Sequence, residues 1–207
     1  MAKALNMKGE EMIDFFENGL QAMRMNYYPP CPEAEKVLGV RPHSDSTGLT
    51  ILLQLNDVEG LQIKKDGSWI PITPLPDAFI VNIGDMLEIA YEEYQYFSIG
   101  RCPAWQWRMN TVAAGIGMMM ITNGEYRSIE HRATVNSDKE RLSIATFYNP
   151  KYNGEVGPAP SLITEKTPAL FKRLTVDEFL TGLFTRENHD KCYLDTMRIQ
   201  QNGEDKN

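Results

Sequence analysis

Over the first twenty residues, Leu5, Met12, Ile13, Phe16 and Leu20 recur at roughly helical spacing, and Gly19 stands where a helix would stop. The pattern predicts an amphipathic helix within residues 1–22. From Met23 onward it shortens to β-type runs: Arg24–Tyr28, Leu49–Leu55, Leu61–Lys64, Ser68–Ile72, Phe79–Ile83, Ser128–Val135 and Arg141–Tyr148. Tyr28-Pro29-Pro30-Cys31-Pro32, Lys65-Asp66-Gly67, Pro74-Leu75-Pro76-Asp77 and Asn136-Ser137-Asp138 break these runs, because proline fixes φ and Gly, Asn and Asp accept turn conformations. Short strands at that pitch predict a mainly β sandwich or jelly roll. After Pro150 the chain reads as loop to Ile163. Thr167-Pro168 then fits an N-cap followed by proline, and Thr175 with Glu178 fits a capping box, so one or two helices are expected between Pro168 and about Phe184. Residues 185–207 read as a polar tail, in which His189-Asp190-Lys191-Cys192 is a solvated group rather than a ligand cluster. Ala90–Met120 fits neither the strand nor the helix period.

Composition narrows the class. A chain of 207 residues, 42% hydrophobic and 24% charged, suits one ordinary globular domain, expected here over residues 23–184. The net charge of -7 gives no basic footprint, which argues against nucleic acid as a partner. The longest uncharged stretch, Thr111–Gly124, is shorter than the roughly 20 apolar residues of a membrane span, and no basic-then-apolar leader opens the chain, so no membrane partner is expected. Cys31, Cys102 and Cys192 are odd in number, far apart and without a CxxC pairing, which suits a reducing compartment. A cytoplasmic monomer is the expectation.

Three short segments carry candidate chemistry. Pro42-His43-Ser44-Asp45 sets an imidazole and a carboxylate at i and i+2, one face of an extended strand and a spacing that suits one metal ion. Alone, that pair reads first as a His and an Asp on a solvated turn. His131, in the β-type run Ser128–Ala133, adds a second imidazole from another strand, and two histidines with one carboxylate are the facial triad of oxygen-activating Fe(II) sites. Ten residues on, Arg141-Leu142-Ser143 places a guanidinium and a hydroxyl on one strand face; the intervening turn predicts that the His131 and Arg141 strands pair as a hairpin. A guanidinium grips a carboxylate through two parallel charge-assisted hydrogen bonds, so the set describes a carboxylate receptor beside a metal.

The ordered set Asn26-Tyr27-Tyr28-Pro29-Pro30-Cys31-Pro32, His43-Ser44-Asp45-Ser46, Gly60-Leu61-Gln62, Trp69, Asn82-Ile83-Gly84-Asp85, Ser128-Ile129-Glu130-His131-Arg132 and Arg141-Leu142-Ser143 resembles plant 2-oxoglutarate/Fe(II)-dependent dioxygenases, C-terminal part only. The likeness is to the senescence-related group, near flavonol synthases, anthocyanidin synthases and alkaloid O-demethylases. It implies a double-stranded β-helix, or jelly-roll, core with flanking N- and C-terminal helices. It implies Fe(II) on His43, Asp45 and His131, and 2-oxoglutarate held through Arg141 and Ser143 with Tyr28 and Asn26 beside them. Phe147 is similar to the position where aromatic substrates stack. The activity implied is oxidation of a small specialised metabolite, such as a flavonoid, an alkaloid or another aromatic compound, by hydroxylation, O-demethylation or desaturation. O2 is consumed, succinate and CO2 are released, and ascorbate supports turnover. The ethylene-forming oxidase branch shares the triad and the Arg-x-Ser pair but uses ascorbate in place of 2-oxoglutarate; the motif context favours the former group.

Two departures bear on activity. The family carries a longer N-terminal half, of which residues 1–22 are the expected remnant, and it passes directly from the equivalent of Leu87-Glu88-Ile89 to that of Ile121-Thr122-Asn123-Gly124. Residues 90–120 are then an atypical insertion, either a retained intron or a surface loop. A chain so built has a third reading, a non-catalytic jelly-roll fragment that binds metal without coupled turnover.

Overall fold

The computed structural model describes residues 2–5, 7–87, 110–112, 128–185 and 192–199. Apart from Asn110–Val112, the expected insertion lies outside these residues, as do His189 and the end of the tail.

Eleven strands and three α-helices are described: α1 (Gly9–Phe16), β1 (Leu20–Tyr28), β2 (Leu38–His43), β3 (Leu49–Gln54), β4 (Leu61–Lys65), β5 (Ser68–Pro71), β6 (Ala78–Ile83), β7 (Asn110–Val112), β8 (His131–Thr134), β9 (Arg141–Asn149), β10 (Glu155–Val156), β11 (Leu174–Thr175), α2 (Val176–Phe184) and α3 (Cys192–Met197). They form a five-stranded sheet in the order β1-β9-β3-β6-β7, a four-stranded sheet in the order β2-β8-β4-β5, and a small β10-β11 ribbon. Residues of both larger sheets line one cleft, the arrangement of a jelly roll.

Period-two burial explains which faces meet. Along β9 the burial alternates through Arg141, Ser143 and Ala145, and along β6 through Ala78, Ile80 and Asn82, so polar residues with a task share the inner face with small and apolar ones. The ladder is antiparallel and in step: Asn26 lies opposite Ser143, Tyr28 opposite Arg141, and Gln54 opposite Ser143 from the other side. A second apolar cluster, with Phe15 of α1, Met86, Phe171, Val176 and Phe179 of α2 and Leu194 of α3, packs the helices together outside the cleft.

Several expectations need correction. The N-terminal helix is shorter than its pattern suggests, and Phe15 rather than Ile13 is its buried residue; Ile13 is 64% exposed. The helix ends at Phe16, Asn18 turns the chain at φ 54, and β1 begins at Leu20; Gly19 lies so close to β9 that a Cβ there would sit 2.3 Å from the Asn149 carbonyl oxygen. Strands β8 and β9 do not pair as a hairpin. Both edges of β8 are taken by β2 and β4, and both edges of β9 by β1 and β3, so the turn at Asn136–Lys139 carries the chain from one sheet to the other. No helix starts at Pro168: Thr167 instead donates its hydroxyl to the Leu162 carbonyl, closing a turn with Thr164, and helix α2 waits for the Thr175–Glu178 capping box.

That box and the core beneath it set a stability test. Thr175→Ala removes one reciprocal cap and costs about 1 kcal/mol, whereas Phe179→Ala empties a fully buried site and costs about 3–5 kcal/mol. Denaturant unfolding of the two variants should rank them in that order.

Candidate functional site

Strand β2 delivers His43 at its last residue, and β8 delivers His131 as its register partner. The two rings lie 4.3 Å apart between centroids. Register shifts in the β2–β8 ladder fall between Leu38 and Val40 and between Val40 and His43, and such bulges re-aim a side chain. Asp45 lies two residues beyond the strand end rather than on it, and is buried.

Hydrogen bonds divide each group's atoms between two tasks. His43 Nδ1 donates to the Arg41 carbonyl at 2.8 Å and His131 Nδ1 to the Ile129 carbonyl at 3.1 Å. A carbonyl only accepts, so each Nδ1 carries the proton and each Nε2 presents its lone pair when the ring is neutral. Asp45 is divided likewise. Its Oδ2 accepts from Thr50 Oγ1 at 2.7 Å and Asn82 Nδ2 at 2.8 Å, while its Oδ1 faces His43 Nε2 at 3.5 Å and His131 Nε2 at 3.6 Å. The ligand atoms of the three residues lie within 4.8 Å of one another. Burial would raise the Asp45 pKa, but His43, the charge of His131, Asn82 and Thr50 together hold it well below the usual carboxylate range. For His43, burial acts to lower the pKa and is outweighed by the bonds to Asp45 and Arg41, so the imidazole titrates above its ordinary value. The donor set fits a divalent metal of the two-histidine, one-carboxylate kind.

Asp85 ties the segment carrying His43 and Asp45 to the one carrying His131. Ser44 donates to its Oδ2 at 3.1 Å and Ser128 donates to its Oδ1, while its backbone N–H donates to the Asp45 carbonyl at 2.7 Å. Gly84 permits that approach, because a Cβ there would lie 2.2 Å from the Thr47 carbonyl oxygen and 2.6 Å from that of Asp45. Sequence reasoning singled out Asn82–Asp85 as a pattern but missed these roles, along with those of Thr50 and Gln54. The signal available was the period: Thr50 and Asn82 are polar residues at inward positions of otherwise apolar strands.

From the opposite sheet come Arg141 and Ser143, each 2% exposed. Arg141 Nη2 donates to Gln54 Oε1 at 3.0 Å, Nη1 reaches Ser143 Oγ at 3.5 Å, and the guanidinium lies 5.2 Å from the Tyr28 ring centroid. Arg141 Nε is buried with no hydrogen-bond partner among the described residues. A buried guanidinium with donor capacity to spare fits an incoming anion. Asn26 donates to Ser143 Oγ at 3.4 Å. All eight residues picked from the sequence, Asn26, Tyr28, His43, Asp45, His131, Arg141, Ser143 and Phe147, line the same cleft, joined by Arg24, Leu52 and Ile80.

The sequence profile of the 2OG-Fe(II) oxygenase superfamily matches residues 19–104 and 106–150. The chain belongs to that superfamily. It is 52% identical over 200 residues to oxoglutarate-dependent flavonoid 7-O-demethylase 1 of Ocimum basilicum, a match covering 97% of the chain and 45% of the relative. To codeine O-demethylase of Papaver somniferum it is 53% identical over 188 residues, covering 91% of the chain and 44% of the relative. Its fold is similar to the crystal structure of JOX2 in complex with 2OG, Fe and JA, with a TM-score of 0.75 and 35% identity over 96% of this chain and 50% of that one. The chain spans about half the length of the curated relatives it matches. Its family is one of enzymes that use Fe(II) and 2-oxoglutarate.

Two outcomes test the geometry. Asn82→Ala frees one oxygen of Asp45 from its anchor and should lower Fe(II) affinity about 10- to 100-fold in an anaerobic titration. Metal must also displace protons from the imidazoles, so affinity should rise with pH and, with His43 titrating above its ordinary value, keep rising beyond about pH 6.5. A flat profile from pH 5.5 to 8 would remove His43 from the ligand set.

Proposed function

We propose that the chain carries out Fe(II)- and 2-oxoglutarate-dependent oxidation of a small aromatic metabolite, with O-demethylation the favoured outcome. The observation that carries this reading is one cleft with two imidazole Nε2 atoms and a carboxylate oxygen on one wall and a buried, incompletely bonded guanidinium on the other. His43, Asp45 and His131 hold the metal, which when bound supplies O2 activation coupled to decarboxylation of the 2-oxo acid. Arg141 binds the far carboxylate of that acid, with Ser143 and Tyr28 as neighbouring hydroxyls and Asn26 steadying Ser143. Ascorbate serves as a supporting reductant, and the chain works as a cytoplasmic monomer.

The remaining wall sets the substrate. Leu52, Ile80, Ala145 and Phe147 give an apolar surface for an aromatic ring. O-demethylation is favoured because the flavonoid and codeine relatives, more than half identical to this chain, are both named for it.

The test is anaerobic loading with Fe(II) and 2-oxoglutarate followed by O2, with succinate and formaldehyde measured against a panel of O-methylated flavonoids and alkaloids. Stoichiometric formaldehyde and succinate are expected with at least one panel member. His131→Ala should abolish both, and Arg141→Lys, which keeps the charge but loses the planar fork, should raise the 2-oxoglutarate KM at least tenfold. Succinate without formaldehyde or another oxidised product would instead identify uncoupled turnover.

A further inference from the structure

Gln54 makes a set of bonds that the reaction chemistry alone does not call for. Its Nε2 donates to two backbone carbonyls of the loop that follows β3, Asn56 at 2.9 Å and Val58 at 2.6 Å. Both amide hydrogens are thereby used, so the orientation of the carboxamide is settled by its partners and its Oε1 must be the end that meets Arg141 Nη2, at 3.0 Å. The same loop is clipped to the chain on either side of Arg141, since Asn56 donates to the Glu140 carbonyl and accepts from the Leu142 N–H. Gly60, at the end of that loop, packs against the arginine so closely that a Cβ would lie 2.6 Å from Arg141 Cδ.

The charge balance is what makes this arrangement informative. Arg141 is almost wholly buried, yet among the described residues no carboxylate forms an ion pair with it. A buried guanidinium is ordinarily paired with an anion. An amide oxygen fixes the plane of the guanidinium as a carboxylate would, but it leaves the positive charge uncompensated. The loop from Leu55 to Gly60 then forms the back wall of an anion receptor whose cation is oriented and still unneutralised.

We propose that Gln54 is a positioning residue for the 2-oxo acid cosubstrate, acting through Arg141 by orienting the guanidinium without neutralising it. The inference rests on the reading of Arg141 as the carboxylate receptor. Two substitutions separate orientation from charge. Gln54→Leu removes the acceptor and should weaken 2-oxoglutarate binding about tenfold, the worth of one hydrogen bond to a charged group. Gln54→Glu supplies an internal anion that competes for Arg141 and should weaken binding further, about a hundredfold or more.

The experiment is calorimetric titration of the Mn(II)-loaded full chain and its variants, under anaerobic conditions, with 2-oxoglutarate and separately with oxalate. Oxalate chelates a metal but has no distal carboxylate. The expected result is loss of 2-oxoglutarate affinity in the order Gln54→Glu beyond Gln54→Leu, with oxalate and Mn(II) affinities within about twofold of the parent. Equal losses for oxalate or Mn(II) would make Gln54 a merely structural residue and overturn the proposal. So would 2-oxoglutarate binding within twofold of the parent in both variants, or tighter binding by Gln54→Glu than by Gln54→Leu. Arg141→Leu is measured alongside: if it binds 2-oxoglutarate as the parent does, the receptor itself has been misassigned. If it fails to bind while the Gln54 variants bind normally, the receptor stands and only the role of Gln54 falls.

Discussion

The centre of this protein depends on the way one buried carboxylate is shared. Asp45 gives one oxygen to Thr50 and Asn82 and turns the other toward two imidazoles. Without those donors the carboxylate would lie in a low-dielectric interior with an unsatisfied oxygen, at a cost of about 1–3 kcal/mol or more for a charged group. With them, it stays ionised and fixed in direction, which is what a metal ligand requires. Strands β3 and β6 supply the donors, while β2 and β8 supply the imidazoles, so the two sheets must be stacked correctly before the three ligand atoms can meet.

The second pole of the cleft follows the same logic with the opposite sign. Arg141 is a buried cation whose partners are an amide oxygen, a hydroxyl and an aromatic ring. An anchored anion and an unneutralised cation facing a common cavity suit a ligand that brings an anion to one end and a chelating group to the other. Among the described residues, the Arg141 Nε has no protein partner to complete the second pole.

Period and punctuation made most of the barrel legible. Seven β-type runs correspond to strands within a few residues, and the inward alternation of Arg141, Ser143 and Ala145 could be read directly from i, i+2 spacing. Strand β2 was not legible, because Gly39 and Pro42 read as breakers. Such residues are tolerated at an edge and at bulges, which is where β2 lies. The pairing of β8 was misjudged for a related reason: a short turn between two strands favours a hairpin locally, and only the global sheet order reveals that both neighbours of each strand are already taken. At the site, charged residues announced themselves, while their neutral supports did not. Thr50, Gln54 and Asn82 are unremarkable in composition, and their roles appear only once the carboxylate and the guanidinium they serve are in place.

That contrast separates what is fixed from what is free to vary. Of the residues proposed for metal and cosubstrate, His131, Arg141 and Ser143 project from strands paired on both sides, His43 ends a bulged edge strand with Asp45 just beyond it, and Thr50 and Asn82 behind Asp45 are buried. The wall proposed for the substrate is different. Arg24 is exposed on β1, which is an edge of its sheet, and Phe147 lies toward the end of β9, where the strict burial alternation has lapsed. A substitution at Arg141 disturbs a packed, hydrogen-bonded environment, whereas one at Arg24 or Phe147 changes the shape and charge of a cleft mouth at little cost to the fold. One scaffold can therefore keep a single oxidising chemistry while its substrate changes, and the relatives' differing flavonoid and codeine names are what that division of the cleft would lead one to expect.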